Sequence, residues 1–215
     1  MKLNMNTSFT QNTSSQSLLI LVDSEQVQQA AATYSITDLA KLIEATQFKA
    51  SLNETLPLIA QIDAAPNSAL VGVAKASELN PNKLAKIAQT IIKATQKKFA
   101  QISIDISALP SELHYLFVLS LTQAAYGFDE FKSKKNDFVL NEINLIAKDS
   151  PLNAEQLRLI EAIELGQNYA RDLGNRPGNI CFPEYLADQA QALADEFPDL
   201  IKVTVLDEQQ MADLG

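Results

Sequence analysis

Residues 17–23 read Ser-Leu-Leu-Ile-Leu-Val-Asp, a run of five apolar residues held between two polar ones. A run without alternation buries both of its faces, which predicts an interior strand of a parallel sheet. The same run is too short for the apolar core of a signal peptide or for a membrane span. We therefore expect an α/β fold built around this strand.

Strand and helix patterns alternate on either side of it. Further strands are predicted at residues 56–62, 70–74, 102–106 and 138–146, and helices at 37–44 with Thr37 as cap, at 81–99, and from Ser111 to about 124. The polar residues 4–17 are expected to be irregular or an edge segment. This alternation predicts helices packed against a mostly parallel or mixed sheet.

The charge changes near Ser150-Pro151, which is also a turn dipeptide. Residues 1–150 hold 13 Lys and 14 acids, a net charge of −1, and residues 151–215 hold 4 basic and 12 acidic residues, a net charge of −8. The two parts sum to −9 for the chain. The break predicts a domain boundary at this point.

The second part carries its own start and stop signals. Asn153 is expected to cap a long helix that ends at a left-handed Gly174, and Pro183 to begin a helix reaching about Phe197. A strand is predicted at residues 200–206, followed by a helix at 208–214 with Asp207 as cap. This order, which halts at Gly215, looks like the opening of a second α/β domain.

Composition excludes several classes of protein. A net charge of −9 disfavours general binding to nucleic acid or to anionic membranes. One Cys cannot form an internal disulfide, so nothing suggests an oxidising compartment. We therefore expect a soluble cytoplasmic protein.

Two residue types could act as catalytic groups. His114 is the single imidazole of the chain and lies in the first turn of an apolar helix, without a second His or Cys near it in sequence. Cys181 would need His114 as partner across the expected boundary. The interpretation we favour is a partly buried or surface histidine and a small buried thiol.

The remaining polar motifs are weaker signals. Glu161 and Glu164, and likewise Glu184 and Asp188, lie one helical turn apart, but without a third ligand a solvated helix face is expected. Gly72 lacks the neighbouring glycines of a phosphate loop. The lysines of residues 132–135 predict a surface turn. The residues alone assign no catalytic, cofactor-binding or metal-ligating role to any position.

Three blocks of sequence resemble one family. They are residues 126–135 (YGFDEFKSKK), residues 169–187 with YARDLGNRPGNIC and PEYLA, and residues 205–215 (VLDEQQMADLG). Their order and spacing are similar to those of leucyl aminopeptidases, the hexameric two-metal exopeptidases of the cytosol. Arg176-Pro177-Gly178 departs from the family at a turn.

The resemblance implies a fold and an activity. The fold is a three-layer α/β/α domain at residues 1–150 with a macrodomain-like mixed sheet, a linker helix at 151–175, and the start of a peptidase domain at 176–215. The activity is metal-assisted release of N-terminal residues from peptides by a cytoplasmic homo-hexamer that uses two divalent ions, Mn²⁺ or Zn²⁺. The family's Asn-Thr-Asp-Ala-Glu-Gly-Arg stretch is absent, so this chain alone is expected to be inactive.

Two other classes of function stay open on these grounds. A nucleotide or ADP-ribose binding module is suggested by the macrodomain-like sheet and weakened by the missing glycine-rich loop. A DNA-binding accessory role is disfavoured by the net charge of −9.

Overall fold

The computed structural model describes residues 1–9, 17–27, 33–34, 36–59, 61–62 and 65–215, and in them a six-stranded sheet forms the centre of the first part of the chain. Its strands are β1 (Lys2–Asn6), β2 (Leu18–Val22), β3 (Thr55–Ile59), β4 (Asn67–Gly72), β5 (Gln101–Asp105) and β6 (Glu142–Ile146). They lie in the order β1-β6-β5-β2-β4-β3. All neighbours are parallel except β3 and β4, which are antiparallel. The predicted mixed α/β sheet is confirmed.

Helices connect and cover these strands. They are α1 (Leu39–Thr46), α2 (Pro81–Thr95), α3 (His114–Ala125), α4 (Ala154–Asn175), α5 (Pro183–Glu196) and α6 (Glu208–Leu214). A 3₁₀ turn at Ser111–Leu113 precedes α3, where the sequence predicts that Ser111 caps the helix directly. Among the residues described, no helix is long and apolar enough to cross a membrane.

Strand β2 is buried at all five positions, and its two faces meet two different apolar clusters. Leu19 and Leu21 pack in a cluster with apolar side chains of α2, α3 and the first turns of α4. Leu18, Ile20 and Val22 pack in a second cluster that includes Leu39 of α1. The uninterrupted apolar run predicts this burial on both faces. With helices packed on each face of the sheet, the first unit has three layers, helix, sheet and helix.

The chain divides into two compact units, Met1–Leu165 and Gly166–Gly215. The first holds the sheet. In the second, whose residues are all described, Ala194 is the one buried residue. Helix α4 continues through the division. The boundaries expected at residues 150/151 and 175/176 stay predictions.

Two predicted helix starts in the second part of the chain are confirmed in their cap geometry. The Asn153 side chain accepts from the amide of Gln156 at 2.9 Å, ahead of α4. Asp207 accepts from the amide of Gln210 at 2.8 Å, and the Gln210 side chain accepts from the Asp207 amide at 3.0 Å. Both are reciprocal caps that supply partners for first-turn groups.

Three local predictions are wrong. Residues 200–206 form no strand, because in the described residues no second strand supplies backbone partners for them. The cap of α1 is Asp38, in a left-handed conformation with φ 53°, and not Thr37. Gly174 lies inside α4 without a positive φ, so the helix ends one residue later than predicted.

Gly72 is required for close packing of the backbone and does not belong to a phosphate-binding loop. A Cβ built at this position would collide with the backbone of Ala50 and Ser51. The amide of Gly72 also donates to the Glu54 carbonyl at 2.8 Å, and the Gly72 carbonyl accepts from the Asn53 amide at 2.9 Å. The residue lets the chain after α1 cross directly over the end of β4.

We therefore expect Gly72→Ala to lower the free energy of unfolding by about 1–3 kcal/mol, because a backbone contact cannot yield to the added methyl group. Gly166→Ala is the matched control, since a Cβ there meets nothing within 4 Å. It should leave stability unchanged or raise it by up to about 1 kcal/mol. Chemical denaturation of the three proteins measures both effects, and equal stability of Gly72→Ala and wild type would contradict the packing role.

Candidate functional site

The sheet topology opens one cleft at the carboxyl ends of β2 and β5. From β2 the chain continues to β3 and β4 on one side, and after β4 it crosses over to β5 on the other side of β2. Such a change of direction leaves a crevice where ligands bind in open α/β sheets. Here the crevice is a cavity of about 110 Å³, lined by residues that include Asp23, Tyr34, Asp105 and Ser107.

The two carboxylates in this cleft are occupied by hydrogen bonds. Asp23 accepts from the Glu25 amide at 2.7 Å and from the Ala76 amide at 2.9 Å. Asp105 accepts from the Ser107 amide at 2.8 Å and from the Tyr34 hydroxyl at 2.5 Å. Each acid thus orders the loop that follows its own strand and joins that loop to a second segment.

Tyr34 is held in its neutral form by this arrangement. Burial, the negative charge of Asp105 and the hydrogen bond to it raise the pKa of Tyr34 far above its ordinary value. A tyrosine of this kind donates a proton in a hydrogen bond and does not act as a base near neutral pH. Among the described residues, the cleft therefore has structural hydrogen bonds and no nucleophile–base pair.

Asp23, Tyr34 and Asp105 are not among the candidate site residues predicted from the sequence. A signal existed for the two acids, because Asp23 directly follows one predicted strand and Asp105 lies at the carboxyl end of another. Parallel strands bring their carboxyl ends to the same edge of a sheet. No comparable pattern marks Tyr34, which comes from a segment distant from β5 in sequence.

The metal ions that the family resemblance implies do not fit the described residues. In these ranges no group of three or more His, Cys, Asp or Glu side chains is placed to hold an ion. Asp23 and Asp105 both line the cleft, and their oxygens already accept from amides and a hydroxyl. These two carboxylates order the loops of the cleft and do not form a metal site.

His114 is a buried structural residue, 2% exposed. Its Nδ1 lies 2.9 Å from Ser150 Oγ and its Nε2 lies 3.1 Å from the Leu109 carbonyl oxygen. A carbonyl can only accept, so in the neutral ring Nε2 carries the hydrogen and Nδ1 accepts from the hydroxyl. The structural interpretation of His114 fits this geometry, and the ring is more deeply buried than expected.

Glu161 and Glu164 do not lie on a solvated face, contrary to the prediction. Glu161 Oε1 accepts from the Leu3 amide of β1 at 3.0 Å. Glu164 is 9% exposed, and its Oε2 lies 3.4 Å from the α-ammonium of Met1. Burial raises the pKa of Glu164 above its ordinary value, while the ammonium group opposes this shift. The two acids attach α4 to the edge strand, a contact across more than 150 residues that helical spacing alone cannot reveal.

The other candidate residues have ordinary surroundings. Glu184 and Asp188 are exposed, as expected for a solvated helix face, and the lysine-rich turn at residues 132–135 is exposed as well. Cys181 is half-buried, and so less buried than the small buried thiol that the sequence predicts. Its amide donates to the Pro177 carbonyl at 2.9 Å within the turn that precedes α5.

Comparison with known families decides the assignment that the cleft leaves open. Residues 18–135, more than half of the chain, match the sequence profile described as "Cytosol aminopeptidase family, N-terminal domain". The chain belongs to the cytosol aminopeptidase family. The resemblance stated from residues 126–135, 169–187 and 205–215 is thereby confirmed, and the nucleotide-binding and DNA-binding alternatives are not favoured.

Individual relatives agree with this family. The chain is 64% identical over its full length to a probable cytosol aminopeptidase of Acinetobacter baumannii and 56% identical to that of Acinetobacter baylyi, covering 45% of each. It is 35% identical over 187 residues to a probable cytosol aminopeptidase of Pasteurella multocida, covering 37% of that protein. The chain thus spans less than half the length of the family members it matches.

Solved structures show the same fold. A mutant of tomato leucine aminopeptidase superposes with a TM-score of 0.81 over the whole chain, at 17% identity and over 46% of its own length. The bottromycin maturation enzyme BotP superposes with a TM-score of 0.69 over 94% of this chain, at 16% identity and over 41% of its own length. At such identities the likeness supports the α/β fold of this family member.

Tyr34→Phe should lower the free energy of unfolding by about 1–3 kcal/mol, because the buried Asp105 loses one of its donors. Tyr115→Phe is the matched control, since Tyr115 is a half-buried tyrosine of α3 in the same unit. That change should alter stability by less than about 0.5 kcal/mol. Urea denaturation at neutral pH compares the two variants, and equal losses would remove any special role for the Tyr34 hydroxyl.

Because of His114, the free energy of unfolding should decrease as the pH is lowered. Burial lowers the pKa of His114 in the folded chain below its ordinary value, whereas the unfolded chain titrates near about 6.5. The unfolded state therefore binds the proton first, and stability is lost as pH falls from about 6.5 toward the lower folded pKa.

His114→Gln provides the control for this dependence, because it removes the one imidazole in the sequence. The free energy of unfolding, measured by denaturant titration between pH 8 and pH 5, should decline less steeply in this variant than in wild type. Parallel curves for the two proteins would show that His114 has no shifted pKa.

Proposed function

We propose that this chain is the N-terminal part of a metal-dependent aminopeptidase that releases N-terminal amino acids from peptides. The observation that carries the proposal is the match of residues 18–135 to the N-terminal domain of the family. The 64% identity over all 215 residues to a probable cytosol aminopeptidase of Acinetobacter baumannii supports it. The substrates would be peptides, and the compartment would be the cytoplasm.

The role proposed for this part is assembly and access to the active site rather than chemistry. In the described residues no cluster of side chains could hold a metal ion, and both acids of the cleft hold loops together. The two divalent ions, Mn²⁺ or Zn²⁺, and the groups that act on the peptide bond would belong to the portion of the family members that this chain does not span. A homo-hexamer would be the functional assembly.

Helix α4 would be the connector between the two functions. Its first half carries the buried positions Leu157, Ile160 and Glu164, and Glu161 binds the backbone of β1. Its second half, beyond Leu165, holds no buried residue. A helix that is fixed at one half and unburied at the other suits a link at residues 151–175.

Residues 176–215 would begin the peptidase domain. Their helices leave large apolar side chains exposed, among them Leu186, Met211 and Leu214. Apolar side chains at this density on one small unit indicate a surface that further protein covers. A further part of the peptidase domain would also supply the backbone partners that residues 200–206 need to form a strand.

The purified 215-residue chain should therefore not hydrolyse leucine amide substrates, with or without added Mn²⁺ or Zn²⁺. The full-length aminopeptidase of Acinetobacter baumannii, assayed in parallel, is the positive control because it contains a closely similar sequence over this whole region. Metal-dependent turnover by the chain alone, lost on addition of a chelator, would overturn the division of roles.

The attachment of α4 to the first unit can be tested at the hydrogen bond from the Leu3 amide to the Glu161 carboxylate. In Glu161→Ala the Leu3 amide loses its acceptor, so its hydrogen exchange should accelerate by about tenfold or more, the equivalent of about 1.4 kcal/mol or more. Glu155→Ala is the control, since Glu155 is an exposed acid six residues before Glu161 on α4. Exchange at Leu3 should not change in that variant, and equal acceleration in both would mean that the contact does not fix α4.

A further inference from the structure

Two carboxylates of α4 cover the outer edge of β1. On an edge strand every second backbone nitrogen points away from the sheet and needs an acceptor from elsewhere. The amide of Lys2 donates inward at 2.9 Å, to a backbone carbonyl just ahead of β6. The nitrogens of Met1 and Leu3 face α4 instead. Glu164 accepts from the first at 3.4 Å and Glu161 accepts from the second at 3.0 Å.

The contact of Met1 with Glu164 is an ion pair, because the Met1 nitrogen is the α-ammonium group. The Met1 side chain is 5% exposed and packs against the apolar cluster that contains Leu3, and the Glu164 side chain is 11% exposed. In the described ranges the Met1 ammonium is the only cation that pairs with Glu164. Removing one partner of an enclosed ion pair is strongly destabilising, because the other charge stays enclosed and unpaired.

The other charges near Glu164 do not replace the ammonium group. Burial and the negative charge of Glu161 raise the pKa of Glu164, whereas the ammonium lowers it. The Lys2 side chain is directed to the sheet, where its Nζ lies 3.8 Å from Glu142. Without the ammonium, Glu164 would be left beside a second acid with no cation paired to it.

We propose that the free α-ammonium of Met1 is a structural component of this unit and that its covalent state controls the attachment of α4. An acyl group on this nitrogen, such as formyl or acetyl, turns the ammonium into a neutral amide with one N–H, so the positive charge is lost. A residue joined ahead of Met1 has the same effect. The proposal is independent of the aminopeptidase assignment, because all of its groups lie in the first unit.

Competitive labelling tests whether the amine is enclosed. The folded 215-residue chain is treated with a trace of acetic anhydride, and mass spectrometry of the N-terminal peptide compares the α-amine with Lys2 Nζ, whose side chain is 66% exposed. Relative to Lys2, the α-amine should react at least about tenfold more slowly in the folded chain than in the urea-unfolded chain. Glu164→Gln should restore part of the reactivity, since the ammonium loses its charged partner. Equal relative rates in folded and unfolded chain, or no acceleration in Glu164→Gln, would overturn the proposal.

A double-mutant cycle tests whether the charge of the amine fixes α4. Chains with a free or an acetylated α-amine, the latter made by co-expression with an N-terminal acetyltransferase, are compared in wild type and in Glu164→Gln. Acetylation should accelerate hydrogen exchange at residues 158–164 of α4 at least about tenfold in wild type and much less in Glu164→Gln, where the charged partner is already absent. Glu155→Gln changes an exposed acid of the same helix and should respond as wild type does.

Two results of this cycle would contradict the proposal. An equal effect of acetylation in wild type and in Glu164→Gln would mean that only the bulk of the acetyl group matters. Unchanged exchange in acetylated wild type would mean that the ammonium does not hold α4.

Discussion

The parallel pairing of β2 on both of its edges is the constraint from which the rest of the first unit follows. Leu18–Val22 lies between β4 and β5, both parallel to it. Parallel neighbours require crossover connections, and the crossovers cover both faces of the strand, so all five side chains must be apolar. The same pairing puts the carboxyl ends of β2 and β5 side by side. Asp23 and Asp105 therefore meet at one cleft although 82 positions separate them in sequence.

Much of this could be predicted from local patterns, because buried strands and capped helices have short-range signatures. The apolar run at β2 and the side-chain caps at Asn153 and Asp207 were correct for this reason. The prediction of a strand at residues 200–206 was wrong. Their apolar composition satisfies strand propensity, but no partner strand is present among the described residues. The prediction that Glu161 and Glu164 lie on a solvated face was also wrong. Their partners are at the other end of the sequence, where local patterns cannot reveal them.

Polar side chains buried in the first unit hold the structure together in most cases. His114 joins the Leu109 carbonyl to the Ser150 hydroxyl, and Asp105 joins the loop after β5 to Tyr34. Groups used in this way have little freedom to exchange protons or ligands, since each change would leave a buried partner unsatisfied. Among the described residues, the exceptions are Asn6 Nδ2, Asn53 Oδ1 and Asn144 Nδ2, which are buried without a hydrogen-bond partner.

The second unit has well-defined helices but very little buried surface. Helix α5 begins with a proline in its first turn, Pro183, and α6 is capped by the Asp207 side chain, so local signals are sufficient to define both starts. Yet Ala194 is the one buried residue in Gly166–Gly215, whereas Leu200 is 84% exposed. About fifty residues with so little buried apolar surface cannot offset the conformational entropy of folding. The apolar faces of α5 and α6 therefore need additional protein against them, and family members more than twice as long as this chain contain enough residues to provide it.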